Sequence, residues 1–477
     1  MISRQEIMEF SREFGLAPNV IEKDYALGWV LAGIAHTEGL SKAWVFKGGT
    51  ALKKCFFETY RFSEDLDFTV IDEQYLKPDF LTDIFHNIAE WIYDQAGVEI
   101  PKDTIRFESY TNPRRKISVE GRLGYRGPLR PGGDLPRIKF DLSNDELVTS
   151  EPKIREVHHP YPDSPEEGMA VLCYSFEELF AEKIRALAER ERPRDLYDVI
   201  HLYRHSNEEI NRPFLLQMLE SKCGFKGIPL PSIEVLAKNP EYNELKSEWK
   251  NMLAHQLPVL PPFEQFWNEL PVVFDWLYGR IEKEIKTAIP AGRITLDEQW
   301  RAPVMATAWR TSIPLEAIRY AGANRLCVDL RYQGSDRLIE PYSLRRSQEG
   351  NLLLYAVKQQ TGELRSYRVD RIQGATVTET PFLPRYTIEL SESGPLSAPP
   401  VSKNYESYRE IKPKKLTSKI VGIRGPTSSF GPKYVFECPF CGKRFIHKSN
   451  NGSLNRHKDK FGYPCGGRSG IYITTKW

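Results

Sequence analysis

A short glycine-containing junction near residue 48 constrains the fold more than any other feature of this chain. The apolar run Trp44-Val45-Phe46 predicts a short buried strand, and Lys47-Gly48-Gly49-Thr50 leads directly into a helical pattern. Glycines at such a junction let the backbone approach a phosphate group, and the helix N-terminus offers free N–H groups to it. The segment therefore predicts a strand–turn–helix unit that binds phosphate through Gly48, Gly49 and Thr50.

Two carboxylates follow this junction at strand spacing. Asp65 and Asp67 are two residues apart at the start of a predicted strand, so both side chains point to one face. Carboxylates beside a phosphate-binding turn can hold Mg²⁺ against a nucleoside triphosphate. Asp141 is a third candidate, because the apolar residues of 137–142 share one face of a strand and leave Asp141 on the other. Such a residue could help to activate an attacking hydroxyl group in a two-metal mechanism.

Two predicted helices add a lysine and another carboxylate. Lys183 lies at the edge of the apolar stripe of a helix that begins near Phe176, and Asp195 and Asp198 lie three residues apart in the next helix. Each residue also has a purely structural interpretation, in which Asp195 caps its helix and Lys183 extends from the core to solvent. The Gly-Gly-Thr segment is likewise common as a plain turn. Only the joint order of these motifs favours a functional site.

That joint order resembles the AbiEii/AbiGii nucleotidyltransferases of the polymerase-β-like superfamily. The matching motifs are Glu22-Lys23-Asp24-Tyr25, Lys47-Gly48-Gly49-Thr50-Ala51-Leu52, Arg61-x-Ser63-x-Asp65-Leu66-Asp67-Phe68, Glu182-Lys183 and Arg194-Asp195-Leu196-Tyr197-Asp198. The resemblance covers roughly residues 1–285 and implies an α+β nucleotidyltransferase fold. Members of the family act as toxins of bacterial toxin–antitoxin and phage-defence systems.

The resemblance also implies an activity, namely transfer of a nucleoside monophosphate from a nucleoside triphosphate to an acceptor. In some members that acceptor is the 3′ end of tRNA. Carried over by position, Gly49 and Thr50 bind phosphate, Asp65 and Asp67 bind the catalytic metal, Lys183 contacts the triphosphate, and Asp195 is a further essential carboxylate. Asp141 matches the family pattern less closely and is a candidate from the strand alternation alone.

A second resemblance lies in the middle of the chain. The segments Glu340-Pro341-Tyr342, Gly350 to Ala356 and Arg365 to Ile372 resemble the WYL domain, which is a small, strongly bent β-sheet. Its members are thought to sense nucleic acid or nucleotide ligands. The signature positions here are Leu352-Leu353-Leu354, so aromatic surfaces that could stack on a base are missing. The anion-contacting candidates are Arg337, Arg365, Arg368 and Arg371, and the alternative is a structural spacer with surface arginines.

The C-terminal cysteines predict a metal site. Cys438, Cys441, His457 and Cys465 follow the order C-x₂-C-x₁₅-H-x₇-C, which supplies four tetrahedral ligands for structural Zn²⁺. The segment resembles a Cys/His zinc finger, which implies a small ββα-like module. His447 is a competing ligand, but it lies too near Cys441 for the usual geometry. The basic surroundings favour binding of DNA or RNA, and a finger that docks onto protein is the alternative.

Charge and composition complete the prediction of domains. Residues 401–477 contain 16 Lys and Arg against 4 Asp and Glu, a net charge of +12, whereas the whole chain carries +2 and the first 400 residues therefore −10. A basic tail of this kind is typical of nucleic-acid binding, although a solvated linker would have it too. We expect a transferase domain at 1–290, a WYL-like domain at 305–390, a flexible basic linker at 391–432 and a zinc-finger module at 433–477.

The sequence thus predicts a multidomain cytoplasmic enzyme with Mg²⁺, Zn²⁺ and a nucleoside triphosphate. No apolar run is long enough to span a membrane, and the N-terminus lacks the apolar stretch of a signal peptide. An RNA acceptor, above all tRNA, and a separate antitoxin are the expected partners. Two alternatives stay open at this point: an enzyme that nucleotidylates protein, and a nucleic-acid-binding regulator whose transferase fold is inactive.

Overall fold

The computed structural model divides the chain into two compact units, Met1–Tyr408 and Arg409–Trp477. It describes residues 1–112, 114–130, 132–165, 168–206, 210–238, 241–300, 315–390, 433–447, 451–454, 457–458 and 464–476. The linker expected at 391–432 lies outside the described residues. Among the described helices, none combines the length and the apolar character needed to cross a membrane.

The first part of the larger unit is an α+β domain. Its helices are α1 (Arg4–Phe14), α2 (Pro18–His36), α3 (Glu38–Ala43), α4 (Gly48–Cys55), α5 (Pro78–Ala96), α6 (Phe176–Arg190), α7 (Pro193–His205), α8 (Arg212–Lys226), α9 (Ile233–Lys238), α10 (Glu241–Leu253), α11 (Phe263–Trp267) and α12 (Leu270–Leu277). Its strands are β1 (Trp44–Lys47), β2 (Asp65–Val70), β3 (Arg106–Thr111), β4 (Ile117–Gly124), β5 (Arg137–Ser143), β6 (Lys153–Glu156) and β7 (Ala170–Cys173).

These strands form one mixed sheet in the order β3-β4-β5-β2-β1-β7-β6. The β1 and β2 strands are antiparallel, whereas β2 and β5 are parallel and adjacent. One face of the sheet is apolar: Ile138, Phe140 and Leu142 of β5 are buried, and their polar neighbours in the strand are not. The alternation expected for 137–142 is therefore confirmed, and it leaves the polar face free for a site.

The second part of the larger unit is a five-stranded antiparallel sheet in the order β11-β10-β9-β8-β12. Its elements are α13 (Leu315–Asn324), β8 (Leu326–Tyr332), β9 (Ser335–Arg346), β10 (Leu352–Lys358), β11 (Leu364–Arg368) and β12 (Ile372–Pro381). The β-rich character expected from 313 to 390 is confirmed, except that the expectation omitted α13. That helix is buried along most of its length, because it packs against the transferase domain as well as against its own sheet.

The smaller unit holds a three-stranded antiparallel sheet in the order β14-β13-β17 and a two-stranded pair, β15 with β16. The strands are β13 (Lys433–Glu437), β14 (Arg444–His447), β15 (His457–Lys458), β16 (Pro464–Cys465) and β17 (Ile471–Lys476). His457 lies in a strand paired with Cys465, where a ββα finger would have its helix. The β-branched run Ile473-Thr474-Thr475 favours the extra strand, so the module is β-rich in its described residues and not ββα-like.

Candidate active site and metal centre

The glycine junction lies where β1 ends and α4 begins. Gly48 has a φ of +79°, a left-handed conformation that side chains rarely adopt, and a Cβ atom at this position would lie 2.1 Å from Asp67 Oδ2. A Cβ atom on Gly49 would lie 2.5 Å from Arg61 Nη2. Both glycines are therefore required for the junction to approach the Asp67 carboxylate and the Arg61 guanidinium.

Thr50 ties the start of α4 to the start of β2. Its buried hydroxyl donates a hydrogen bond to the backbone carbonyl of Asp65. The Thr50 side chain thus orients the strand that carries the carboxylates, and the phosphate contact expected of this residue would have to come from its backbone N–H. That N–H lies in the first turn of α4, where the helix supplies no carbonyl partner for it.

Strand pairing brings the three candidate carboxylates onto one face. Asp67 of β2 pairs with Lys47 of β1 on one side and with Asp141 of β5 on the other, while Asp65 pairs with Lys139. Paired residues on neighbouring strands point to the same face of the sheet, and so do residues two apart in one strand. Asp65, Asp67 and Asp141 therefore line the same cleft.

The electrostatics of this face are dominated by Asp67 and Lys47. Burial raises the pKa of Asp67 to about 6; Lys47 opposes this shift, and Asp141 adds to it. Burial alone would lower the pKa of Lys47, but the charges of Glu146 and its other neighbours raise it, so the ammonium stays protonated. Lys47 Nζ lies 3.4 Å from Glu146 Oε1. The face thus gathers more negative charge than Lys47 balances, which suits a divalent cation.

Behind the cleft, Asp198 is the centre of a buried ion network. Its carboxylate accepts two hydrogen bonds of 2.7 Å from Arg61, through Nε and Nη2, and another from Tyr60 Oη. Lys183 Nζ lies 2.7 Å from Asp198 Oδ2 and 3.5 Å from Asp195 Oδ1. Burial alone would raise the pKa of Asp198, but Arg61 and Lys183 hold it below its usual value.

Asp195 is held mainly by a different cation. Arg190 donates to it from Nε and Nη2 at 2.7 and 2.8 Å, in a two-pronged pair between the end of α6 and the start of α7. Burial alone would lower the pKa of Arg190, but the hydrogen bonds and charge of Asp195 raise it. Asp195 and Lys183 both line the cleft, as the sequence predicted, yet each is engaged with buried charged partners.

The cleft has a volume of about 440 Å³ and is lined by more cations than the sequence predicted. Arg190, Arg192 and Arg194 flank Asp195, and Lys139 faces the cleft from β5. Tyr110 of β3 also lines it and donates a 3.1 Å hydrogen bond to Asp141 Oδ1. The alternation of arginines at 190, 192 and 194 was the available signal for the first three. Nothing in the local sequence could have placed Tyr110, which is brought in by sheet pairing.

The four arginines expected to contact a ligand in the middle domain do not form one unpaired group. Arg365 pairs with Glu363, and Arg368 donates to Asp370 at 2.7 Å. Arg337 Nη1 donates to the carbonyl of Tyr332 at 2.6 Å, while Arg371 lies in a short 3₁₀ turn before β12. The residues are exposed or half-buried, so their role in ligand binding stays a prediction.

The C-terminal cluster has the geometry of a metal centre. One ligand atom from each of Cys438, Cys441, His457 and Cys465 lies within 4.8 Å of every other, and Cys438 Sγ is 3.6 Å from Cys465 Sγ. Sulfur atoms about 2.3 Å from a tetrahedral zinc ion would be separated by a similar distance. His447 lies on β14 against the ring of Phe436 and is not part of the cluster. Burial alone would raise the pKa of Cys438, but N–H groups of Phe440 and Cys441 help to lower it to about 6.

Comparison with known protein families agrees with both parts of the larger unit. The family described as nucleotidyl transferase AbiEii toxin, type IV toxin–antitoxin system, matches residues 29–269, which is half of the chain. This chain belongs to the AbiEii family. It is therefore a nucleotidyltransferase of the toxin type, as the motifs predicted. The WYL domain family matches residues 314–377, and no curated protein sequence matches the chain.

Solved structures with a similar fold include three nucleotidyltransferase-type proteins. MenT4, a nucleotidyltransferase toxin from Mycobacterium tuberculosis H37Rv, is 17% identical with a TM-score of 0.41, over 58% of this chain and 90% of MenT4. JHP933 from Helicobacter pylori is 20% identical with a TM-score of 0.37, over 56% and 95% of the two chains. A putative nucleotidyltransferase from H. pylori is also 20% identical, with a TM-score of 0.36 over 56% and 98%.

Proposed function

We propose that this enzyme is a Mg²⁺-dependent toxin that transfers a nucleoside monophosphate from a nucleoside triphosphate to the 3′ end of tRNA. The observation that carries the proposal is the single cleft in which Asp65, Asp67 and Asp141 face several arginines and a lysine. Phosphoryl transfer depends on positioning and on neutralising charge, and this set of side chains supplies both.

Asp65 and Asp67 are the residues that would hold the metal. Their carboxylate oxygens are hard ligands of the kind that Mg²⁺ prefers, and the crowding that raises the pKa of Asp67 fits a site that takes up a cation. When bound, the ion would neutralise charge on the triphosphate. Arg190, Arg192 and Arg194 would bind and orient the phosphate groups, since guanidinium forks match phosphate oxygens.

Asp141 is the residue we propose as proton acceptor for the attacking hydroxyl. Its carboxylate is exposed on the cleft side of β5, and the Tyr110 hydroxyl fixes its orientation. The acceptor oxygen forms a bond to the α-phosphorus, the bond from that phosphorus to the bridging oxygen breaks, and pyrophosphate leaves. The hydroxyl proton passes to Asp141. Lys183, whose ammonium lines the cleft, would contact the triphosphate while Asp195 and Asp198 hold it in place.

The remaining modules would supply nucleic-acid or nucleotide recognition. We propose that Zn²⁺ occupies the Cys438, Cys441, His457 and Cys465 cluster, which is the tetrahedral donor set that zinc favours. The basic C-terminal region would bind DNA or RNA electrostatically. The WYL-like domain would sense a nucleotide or nucleic acid through Arg337, Arg365, Arg368 and Arg371. A separate antitoxin would restrain the enzyme in the cytoplasm of its host.

The test uses the full chain, total RNA, Mg²⁺ and each α-³²P nucleoside triphosphate in turn. We expect label in the tRNA band with wild type and none with the double variant Asp65→Ala, Asp67→Ala. The double variant Asp83→Ala, Asp94→Ala removes two exposed carboxylates from α5 and should label tRNA normally. Label on protein would instead identify a protein-nucleotidylating enzyme, and the absence of label with all four nucleotides would favour an inactive regulator.

A growth assay tests the toxin function in cells. Expression of the wild-type chain should slow the host, whereas the Asp65→Ala, Asp67→Ala variant at equal abundance should not. Equal growth of the two strains would show that the carboxylates of the cleft are not the source of toxicity.

A further inference from the structure

A second cavity, larger than the catalytic cleft, lies between the transferase domain and the WYL-like sheet. Its volume is about 810 Å³, within the range of small-molecule sites. The walls come from the end of α7, from α12, from residues 282–286, from the end of α13 and from residues 384–388. It shares no lining residue with the catalytic cleft, so a ligand here would be distinct from the substrates.

The cavity carries an excess of positive charge. Arg204 and Arg325 share a single carboxylate, that of Glu269, each at 2.8 Å. The Arg204 side chain is only 3% exposed, and its Nη1 atom has no hydrogen-bond partner among the residues that the structure describes. Burial and the nearby Arg204 lower the pKa of Arg325 to about 10. A buried guanidinium nitrogen without a partner beside a cavity is an anion-binding feature.

Arg325 is also held in an unfavourable backbone conformation. Its φ is +56°, directly after the last residue of α13, where glycine would be the favoured residue. An arginine at this point costs stability relative to glycine, yet its side chain lines the cavity and contacts Glu269. The position therefore favours a role for the guanidinium group itself.

The opposite side of the cavity is aromatic and apolar. Trp276 of α12, Tyr386 and Ile388 contribute to its walls. Trp276 is nearly buried and Tyr386 is half-buried, with its ring 5.5 Å from that of Tyr342. A free phosphate ion would leave this wall without a contact, whereas a flat ring joined to an anionic group would use both sides.

We propose that this cavity binds a nucleoside monophosphate, with its phosphate on Arg204 and Arg325 and its base against the Trp276 and Tyr386 side. The site goes beyond the catalytic function, since it is built from residues that the transfer reaction does not use. Because its walls come from both domains, the ligand would contact the transferase and the WYL-like sheet together.

Isothermal titration of the full chain with each of the four ribonucleoside 5′-monophosphates tests the proposal. The buffer contains EDTA so that metal-dependent binding in the catalytic cleft is suppressed, and Asp65→Ala is titrated in parallel. We expect at least one monophosphate to bind wild type and Asp65→Ala equally. Arg325→Gln should weaken that binding by about tenfold or more, because a charged hydrogen-bond donor to the phosphate is lost.

Two further variants separate binding from folding. Tyr386→Ala removes half-buried aromatic surface and should also weaken binding, with an unchanged thermal midpoint. Arg331→Gln removes an arginine that is exposed and paired with Asp336 on the WYL-like sheet, and it should bind as wild type does. The proposal is overturned if no monophosphate binds, if inorganic phosphate binds as tightly, if Asp65→Ala abolishes binding, or if Arg325→Gln and Tyr386→Ala both bind normally.

Discussion

Replacing Asp198 by asparagine should destabilise the transferase domain strongly, although the two side chains have nearly the same shape. The Asp198 carboxylate is fully buried and neutralises two buried cations, Arg61 and Lys183, with contacts of 2.7 Å. Asparagine keeps one acceptor oxygen but removes the charge. Breaking a buried ion pair from one side leaves an uncompensated charge and costs about 3–5 kcal/mol. Because asparagine retains part of the hydrogen bonding, we expect a loss of about 3 kcal/mol in the free energy of unfolding.

Urea unfolding of both proteins at pH 7, followed by tryptophan fluorescence, measures this difference. Asp336→Asn is the matched control, since Asp336 pairs with Arg331 on the surface and both side chains are more than half exposed. Exposed pairs contribute little, so this variant should unfold at the wild-type urea concentration. If Asp198→Asn shifted the midpoint no more than Asp336→Asn, the carboxylate could not be the counter-charge that holds Arg61 and Lys183 in place.

Three further predictions concern the junction, the metal centre and pH. Gly48→Ala should reduce tRNA labelling by about a hundredfold, because its Cβ atom would displace the Asp67 carboxylate, whereas Gly334→Ala, with a φ of +76° and open space around it, should leave labelling unchanged. Cys438→Ser should lose the zinc measured by atomic emission, and Cys327→Ser, outside the cluster, should retain it. Burial and Glu316 raise the pKa of Glu13 to about 7 from 4.5, so its contribution to stability falls as pH rises through that interval. Glu13→Gln should therefore raise the thermal midpoint at pH 8 and not at pH 4; a gain equal at both pH values would contradict this.

The sequence predicted the local chemistry of the site well because the information is local. A period of two in 137–142 determines which face of β5 is apolar, and the same period puts Asp65 and Asp67 on one side of β2. The spacing of three cysteines and a histidine similarly predicted the cluster that the structure contains. Each of these predictions needs only the periodicity of one element or the geometry of a short loop.

Partners brought together by long-range packing could not be predicted in this way. Asp195 and Asp198 lie on the same face of α7, yet one is paired chiefly with Arg190 and the other with Arg61 and Lys183. Spacing along α7 does not distinguish them, because Arg61 comes from a segment 137 residues earlier. The same reason explains the missed α13, whose burial depends on contact with the transferase domain and not on its own periodicity.

Helix α7 links the two sites described above. Its first turn carries Asp195, and Tyr197 in the next positions donates a 2.9 Å hydrogen bond to Asn324, the last residue of α13. Its last turn carries Arg204, which lines the second cavity about 14 Å along the axis from Asp195. A helix is stiff over this length, so an anion that pulls on Arg204 and Arg325 acts on the same rigid element that positions Asp195. The proposed monophosphate site would therefore be coupled to the catalytic cleft through α7 and α13, and both helices would respond to it together.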